Sequence, residues 1–326
     1  MPSFCRHNRF IERCPICSKT LPGQPARTPS ARASTKRAGA GAATARRRPG
    51  GAGLSVRREN RASDDGYRSA LLPGLRASGD AHRLAEEIAF SRGRLVALGS
   101  APPDLYAEVQ ALAADDLEQA TWACVLITYL CPLEGEASFA GIRLALREDR
   151  ETLEDLEQIP LGPRTCHARA RGSQTLIAYR RWIAQASSAR RAFTGDPGWS
   201  APRRFERLFE RLALPGFERR CRYELLLTLG SLGLYEMQAD SLHLSGGRGP
   251  SSSDPTTLAA KRLFAIGDPL HLERRSNALA DAISVPIETL DLALANWGIG
   301  ERATLGFPPE ASEHETLERA QHALGL

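Results

Sequence analysis

The stretch that decides the fold is PRRFERLFERLALPGFERRCRYELLLTLGSLGLYEMQADSLHL, residues 202–244. Apolar side chains recur at helical spacing over 202–212, and a leucine-rich helix is predicted over 220–232. The turn Leu214-Pro215-Gly216-Phe217 separates them. Two helices joined by such a turn make a helix–hairpin–helix, in which the glycine lets the backbone approach a phosphate. The pattern therefore indicates a nucleic-acid-binding segment.

The predicted DNA-binding surface combines this turn with the arginines around it. The first N–H groups of the second helix carry the positive end of the helix dipole, and arginine binds phosphate through a planar fork of donors. We expect these residues to contact DNA: Leu214, Pro215, Gly216, Phe217, Arg211, Arg219, Arg220 and Arg222.

Helical patterns continue outward from this stretch in both directions. Further helices are predicted over 82–98, 115–130 and 312–324, and no segment alternates with the two-residue period of a strand. The signals for later helix ends are Asp254-Pro255, Asp268-Pro269 and Pro286 as starts, with Gly267 and Gly298 as stops. The expected fold is all-α, with a helical domain over 62–308 that contains the helix–hairpin–helix (202–244), and a C-terminal helix over 309–326.

Length and composition exclude several classes of protein. The chain has 326 residues, 42% of them hydrophobic and 25% charged, which suffices for a sizeable core. It contains neither an apolar run long enough for a membrane span nor a secretory signal, so a cytoplasmic protein without a membrane partner is expected. Phosphate-loop and dinucleotide-binding motifs are absent, so ATP hydrolysis and hydride transfer have no support and no organic cofactor is expected.

Positive charge is concentrated in two segments. Residues 1–61 carry 14 Lys and Arg against two acidic residues, although the whole chain has a net charge of only +5. Residues 164–222 carry 14 Arg against four acidic residues, within a body that is otherwise acidic. Such clusters are typical of proteins that bind polyanions, and we expect the partner to be DNA.

The N-terminal sequence FCRHNRFIERCPIC, residues 4–17, has the spacing of a zinc knuckle. A tetrahedral zinc site needs four thiolate or imidazole ligands, and a closed set of protein ligands predicts a structural rather than a catalytic ion. The expected ligands, in a knuckle over residues 1–19, are Cys5, His7, Cys14 and Cys17. Residues 20–61 lack large apolar side chains and are expected to form a disordered basic linker. The other four cysteines are spaced singly and are expected in the core.

The central stretch resembles the helix–hairpin–helix DNA glycosylase superfamily, in which a catalytic aspartate follows the second helix of the hairpin. The segment Ala239-Asp240-Ser241-Leu242-His243-Leu244 is similar to the segment that carries this aspartate, which implies a catalytic role for Asp240. The hairpin departs from the family pattern at Glu218, where the second glycine is expected. Arg220 stands where bifunctional members have a nucleophilic lysine, and a guanidinium cannot form a Schiff base. The resemblance thus implies a monofunctional enzyme.

A closer resemblance covers about residues 4–17 and 65–300. The strings FCRHNRFIERCPIC, PLGPRTCHARA, LPGFERRCRYELLLTLGSLGLYEMQADSLHL, AAKRLFAIGDPLHLERR and LDLALANWG resemble the clade 3 α-glutamyl/putrescinyl-thymine pyrophosphorylase family. The family name implies that an amine displaces pyrophosphate from a modified thymine. Other relatives are antiphage DNA glycosylases that remove hypermodified bases from phage DNA.

The first function that we expect is that of a monofunctional DNA glycosylase acting on a modified base, plausibly a phage hypermodified base. The base would be flipped out of the helix, and ionised Asp240 would stabilise the oxocarbenium-like transition state and activate water. Candidates for contacts to the base are Tyr223, Glu224, Tyr235, Glu236, Gln238 and His243. Two alternatives stay open: exchange of pyrophosphate for an amine, with Asp240 as the base, and a non-catalytic DNA-binding module.

Overall fold

The computed structural model describes residues 62–147, 156, 158–245 and 254–326. The chain divides into two units, Met1–Val56 and Arg57–Leu326, and all described residues belong to the second. Within the described residues the secondary structure is helical and contains no strand, which confirms the all-α prediction. The predicted zinc ligands Cys5, His7, Cys14 and Cys17 and the linker over 20–61 lie outside the described residues.

The described residues form twelve α-helices and a short 3-10 turn at Arg169–Arg171. In chain order the helices are α1 (Ser78–Ser100), α2 (Leu105–Leu112), α3 (Leu117–Leu130), α4 (Ala140–Arg147), α5 (Gln174–Ala186), α6 (Ala189–Thr194), α7 (Ala201–Arg211), α8 (Arg219–Ser231), α9 (Pro255–Phe264), α10 (Pro269–Ile283), α11 (Thr289–Ile299) and α12 (His314–Leu324).

Two helices that are buried along nearly their whole length organise the core. Helix α11 is buried from Thr289 to Trp297 and packs between α1 and α9. The indole of Trp297 donates to the Asp80 carbonyl oxygen at 2.9 Å, which ties α11 to the start of α1. Helix α3 is the second, and it packs against α8. Because α8 also contacts α1 and α7, this helix connects the core to the predicted hairpin.

Local chemistry explains where several of these helices begin and end. The carboxylates of Asp116, Asp254 and Asp268 accept hydrogen bonds from the third residue of α3, α9 and α10, respectively, as N-cap residues do. The two predicted glycine stops are wrong. Helix α9 ends before Gly267, at Ala265 in the left-handed conformation, and α11 runs through Gly298 to Gly300.

Three further predictions about composition can be compared with the described residues. The four cysteines outside the N-terminal segment are buried and unpaired by disulfides, as predicted for core residues. No group of three or more metal-binding side chains occurs among the residues that the structure describes. None of the helices in those same ranges is long and apolar enough to cross a membrane.

Candidate functional site

The loop between α7 and α8 is tight and needs its glycine. The Phe217 N–H donates to the Leu214 carbonyl at 3.0 Å, and Gly216 has a φ of +80°, a conformation that side chains disfavour. A Cβ at this position would also clash with the Thr175 hydroxyl at the start of α5. The glycine therefore permits close packing of the loop against α5, a reason that the sequence motif did not indicate. Pro215 is exposed, Leu214 is half-buried and Phe217 is buried.

A cleft of about 470 Å³ lies beside this loop and the first turn of α8. Its size is within the range of small-molecule sites. Four arginines line it: Arg171 is exposed, Arg220 and Arg222 are half-buried, and Arg219 is buried. Glu218, the N-cap residue of α8, also lines the cleft; its carboxylate makes no cap hydrogen bond and pairs with Arg220 at 3.2 Å. The cleft is suited to an anionic group.

Arg219 borders this cleft, but its guanidinium binds groups in the protein core. Its Nε donates to Asp254 at 2.9 Å and one terminal nitrogen donates to the Leu242 carbonyl at 2.6 Å, while the other contacts Asp291. Arg164 also pairs with Asp291, at 3.2 Å. Burial disfavours ionisation of Asp254, but Arg219 and the Thr257 N–H hold the pKa of Asp254 below its ordinary value. Arg219 thus ties α8 to α9 and α11, and the structure places it inside rather than on a DNA-facing surface.

The basic block over 164–222 presents less surface charge than its sequence suggests. Arg164, Arg204 and Arg219 are all buried. Arg204 donates to the carbonyl oxygens of Thr194 and Trp199. The predicted DNA contact Arg211 is exposed, with its guanidinium 5.0 Å from the centre of the Trp199 ring. Part of the clustered positive charge is therefore buried and stabilises the fold instead of facing solvent.

Asp240 lies in the non-helical segment 236–245 between α8 and α9, and its side chain is exposed. The segment is held from two sides. Glu273 on α10 accepts hydrogen bonds from the backbone N–H groups of Leu242 and Leu244, at 2.8 and 2.6 Å. The Tyr223 hydroxyl donates to the Ser241 carbonyl at 3.1 Å. The carboxylate of Asp240 is thus presented to solvent by a well-anchored backbone.

Among the predicted site residues, His243 has the properties most typical of a functional side chain. Its ring stacks on Phe209 at 4.1 Å between centroids, and its backbone has a φ of +51°. Its Nε2 is buried and has no hydrogen-bond partner within the described ranges. Burial and the charge of Arg219 lower the pKa of His243 to about 4, although Asp240 opposes the shift. The imidazole is therefore neutral at pH 7.

The other candidates for base contacts do not gather around Asp240. The Tyr235 hydroxyl pairs with the Thr121 hydroxyl at 2.8 Å, and Glu224 pairs with Arg94 at 2.7 Å. These two residues are buried, as is Tyr223, whereas Glu236 and Gln238 are exposed. The structure thus brings Tyr223 to the Asp240 segment, which itself contains Glu236, Gln238 and His243, and leaves Glu224 and Tyr235 elsewhere.

One protein family matches the segment that contains this geometry. Residues 164–303 match the family described as alpha-glutamyl/putrescinyl thymine pyrophosphorylase clade 3. Over this segment the chain is similar to that family. The match confirms the closer of the two resemblances in the sequence, and it covers all residues that line the cleft as well as Asp240 and Glu273. No curated protein and no solved structure matches the chain.

The matched segment also contains a cleft residue that sequence reasoning missed. Cys166 lines the cleft, as Arg171 does, from the connection that precedes α5. The string PLGPRTCHARA does place this cysteine between basic residues. Because Cys166 is far from the other cysteines in the sequence, it was interpreted as a core residue. Glu273 was also missed as the anchor of the Asp240 segment, because its partners are more than 25 residues away along the chain.

Proposed function

We propose that this protein modifies thymine in DNA by replacing a diphosphate on the 5-methylene carbon with an amine. The bond between this carbon and the diphosphate oxygen breaks, and the diphosphate leaves with the electron pair. The amine nitrogen bonds to the methylene carbon and gives up a proton. The single observation that carries the proposal is the arginine-lined cleft at the start of α8, together with the family match over 164–303.

The cleft has the chemistry that a departing diphosphate requires. Negative charge grows on the leaving group as the carbon–oxygen bond breaks, and preorganised cationic donors lower the barrier most when they are already in place. Arg222 is held by its bond to the Phe209 carbonyl at 3.0 Å and by the Phe209 ring, 4.3 Å away. Arg220 is held by its bond to the Thr165 carbonyl at 2.6 Å. Arg171 is exposed and lines the same cleft.

Asp240 is the group that we propose as the base for the attacking amine. Its carboxylate is exposed, so it is accessible to a substrate, and its backbone neighbours are anchored by Glu273. The thymine would be flipped from the DNA helix to reach the cleft, at a cost of a few kcal/mol. We further infer that α7, the Leu214–Phe217 turn and α8 act as a helix–hairpin–helix that holds the DNA backbone through exposed Arg211 and Pro215.

A second candidate function is excision of the modified base by a monofunctional glycosylase. The observation that favours it is the same exposed Asp240, which would stabilise an oxocarbenium-like sugar and activate water. Arg220 in place of a lysine would leave such an enzyme without lyase chemistry. The family match favours exchange, since the family description names a pyrophosphorylase. A non-catalytic DNA-binding module is the third outcome that the experiment below would recognise.

The test is to incubate the full-length protein with DNA that carries 5-(diphosphooxymethyl)uracil, with putrescine or glutamate as the amine. Released diphosphate, free bases and digested nucleosides are measured together by mass spectrometry. Amine-dependent diphosphate release with an aminated nucleoside is the expected result. Free base with abasic DNA would support the glycosylase, and intact DNA with retained binding would support the third function.

Matched variants connect the reaction to the site. Asp240→Asn is expected to lower the rate about 100-fold or more, the usual effect of removing a general base. Glu206→Gln, an exposed carboxylate on α7, is its control. Arg171→Ala is expected to lower kcat/KM about tenfold, because it removes one charge-assisted contact to diphosphate. Arg169→Ala is the control, since Arg169 belongs to the same 3-10 turn but does not line the cleft.

A further inference from the structure

Cys166 forms part of the wall of the arginine-lined cleft. Its backbone N–H donates to the Tyr129 carbonyl at 2.9 Å, and the Thr165 hydroxyl donates to the same oxygen at 3.1 Å. Arg220 binds the Thr165 carbonyl at 2.6 Å, so its guanidinium is fixed beside the cysteine. The same guanidinium pairs with the Glu218 carboxylate at 3.2 Å, and its buried Nε has no hydrogen-bond partner among the described residues. A thiol and a cation thus meet at the edge of a substrate-sized cleft.

The surroundings of Cys166 favour its thiolate. Burial alone would raise the pKa of this thiol, but the Cys221 side chain and the Arg220 guanidinium stabilise the anion and leave the pKa of Cys166 below its ordinary value. Burial raises the pKa of each of the other three described cysteines: Cys124, Cys131 and Cys221. A neighbouring cation favours the thiolate, which is the nucleophilic form of cysteine. Cys166 is buried, with 5% of its surface exposed, and among the cysteines in the described ranges it alone lines the arginine-lined cleft.

We propose that Cys166 is a nucleophile that adds to C6 of the flipped pyrimidine and thereby drives the departure of diphosphate from the 5-methylene carbon. The inference rests on the proposed exchange function and adds a covalent step to it. It needs no oxidant, reductant or further co-reactant, because both reactants of the exchange are already present.

The electron flow accounts for each bond. The Cys166 thiolate bonds to C6, and the C5–C6 electron pair moves to C5 and the C4 oxygen to give an enolate. The enolate re-forms a double bond from C5 to the methylene carbon and expels diphosphate with its electron pair. The amine then bonds to the methylene carbon, loses a proton to the base, and regenerates an enolate. Collapse of this enolate restores the C5–C6 double bond and expels the Cys166 thiolate.

The arrangement in the cleft suits this sequence of steps. Addition at C6 disrupts the ring's conjugation and creates the carbanion character that a leaving group on the 5-methylene needs. Cys166 and the arginines that would receive the diphosphate line the same cleft, so attack and departure occur in one place. Arg220 serves both steps, because its guanidinium lies beside Cys166 and borders the cleft.

The test uses a probe that reports addition at C6 without diphosphate or amine: single-stranded DNA with one 5-trifluoromethyluracil. A nucleophile that adds to C6 expels fluoride from the trifluoromethyl group. Fluoride is followed by NMR against a protein-free background, and any covalent protein–DNA adduct is digested and mapped by mass spectrometry. The full-length wild-type protein is expected to release fluoride at least about tenfold faster than the background, with the adduct on Cys166.

Variants and mapping separate a chemical role from a structural one. Cys166→Ala and Cys166→Ser are expected to release fluoride only at the background rate, whereas Cys124→Ala, which removes a buried thiol that does not line the cleft, retains the wild-type rate. If a Cys166 variant fails to fold, the residue that carries the adduct in the wild-type protein still tests the proposal. No fluoride release by the wild type, an adduct on another residue, or full release by folded Cys166→Ala would each overturn the proposal.

The outcome for Cys166 can be distinguished from the outcome for the exchange reaction. Fluoride release that depends on Cys166, without amine-dependent diphosphate release, would support the nucleophile and reject exchange as the reaction. Amine-dependent diphosphate release that is equal in wild type and Cys166→Ala would support exchange and reject the nucleophile.

Discussion

Replacing Glu273 by alanine is expected to destabilise the segment that presents Asp240. Glu273 accepts two backbone hydrogen bonds, from Leu242 at 2.8 Å and Leu244 at 2.6 Å. A hydrogen bond to a charged group contributes about 1.5–3 kcal/mol, and the lower figure applies because Glu273 is only half-buried. Two such bonds give a loss of about 3 kcal/mol in the free energy of unfolding. For a domain of this size, the loss corresponds to a fall in Tm of about 6–12 °C.

The assay is urea unfolding followed by circular dichroism, with the exchange reaction measured on the same samples. Glu273→Gln keeps one acceptor oxygen and is expected to lose about half as much stability. Asp281→Asn, an exposed carboxylate near the other end of α10, is the control and should change stability by less than about 0.5 kcal/mol. Because the loosened backbone no longer positions Asp240, activity should fall more than stability. A loss below about 1 kcal/mol in Glu273→Ala would show that these two bonds do not anchor the segment.

Three further predictions concern the charges around α8. Arg219→Met leaves Asp254 and Asp291 without their shared partner and should cost about 3–5 kcal/mol in urea unfolding; a loss under 1 kcal/mol would contradict the buried network. Arg220→Gln removes a cation beside Cys166, so the pH profile of iodoacetamide labelling at this thiol should shift to higher pH; an unchanged profile would contradict the assigned cause. Folded His243 has a pKa of about 4, below the 6.5 of the unfolded chain, so its contribution to stability is present above pH 6.5 and is lost as the pH falls towards 4. In His243→Phe the urea midpoint should depend less on pH over that window. An unchanged pH dependence would contradict the assignment to His243.

Much of the fold follows from local pattern. The helices predicted over 202–212 and 220–232 occur as Ala201–Arg211 and Arg219–Ser231, because one apolar stripe and one leucine-rich run specify them without reference to distant residues. The aspartate–proline starts of α9 and α10 are confirmed for the same reason. The glycine stops failed because a helix end is also set by packing: Gly298 lies against Ala259 of α9, inside a helix interface.

The site was less predictable, because charge along a chain does not show which side chains are buried. Arg219 and Arg220 are adjacent and identical in the sequence and both border the cleft, yet Arg219 pairs with carboxylates 35 and 72 residues away and Arg220 binds the Thr165 carbonyl. The aspartate partners are separated from Arg219 by whole helices, so no local pattern signals them. Cys166 carries no motif either, since its character depends on Arg220 and Cys221, which approach it only in the folded chain.

Four consecutive residues at the start of α8 explain how one turn of helix serves both core and cleft. Successive side chains of a helix are rotated by about 100°, so four of them point in all directions around the axis. Arg219 reaches α9 and α11, Arg220 reaches Thr165, Cys221 packs in the core, and Arg222 lies on Phe209 of α7. The cleft arginines are therefore positioned by the same turn that the buried network fixes. Loss of Arg219 should impair the cleft through this turn, even though its own guanidinium is committed to the core.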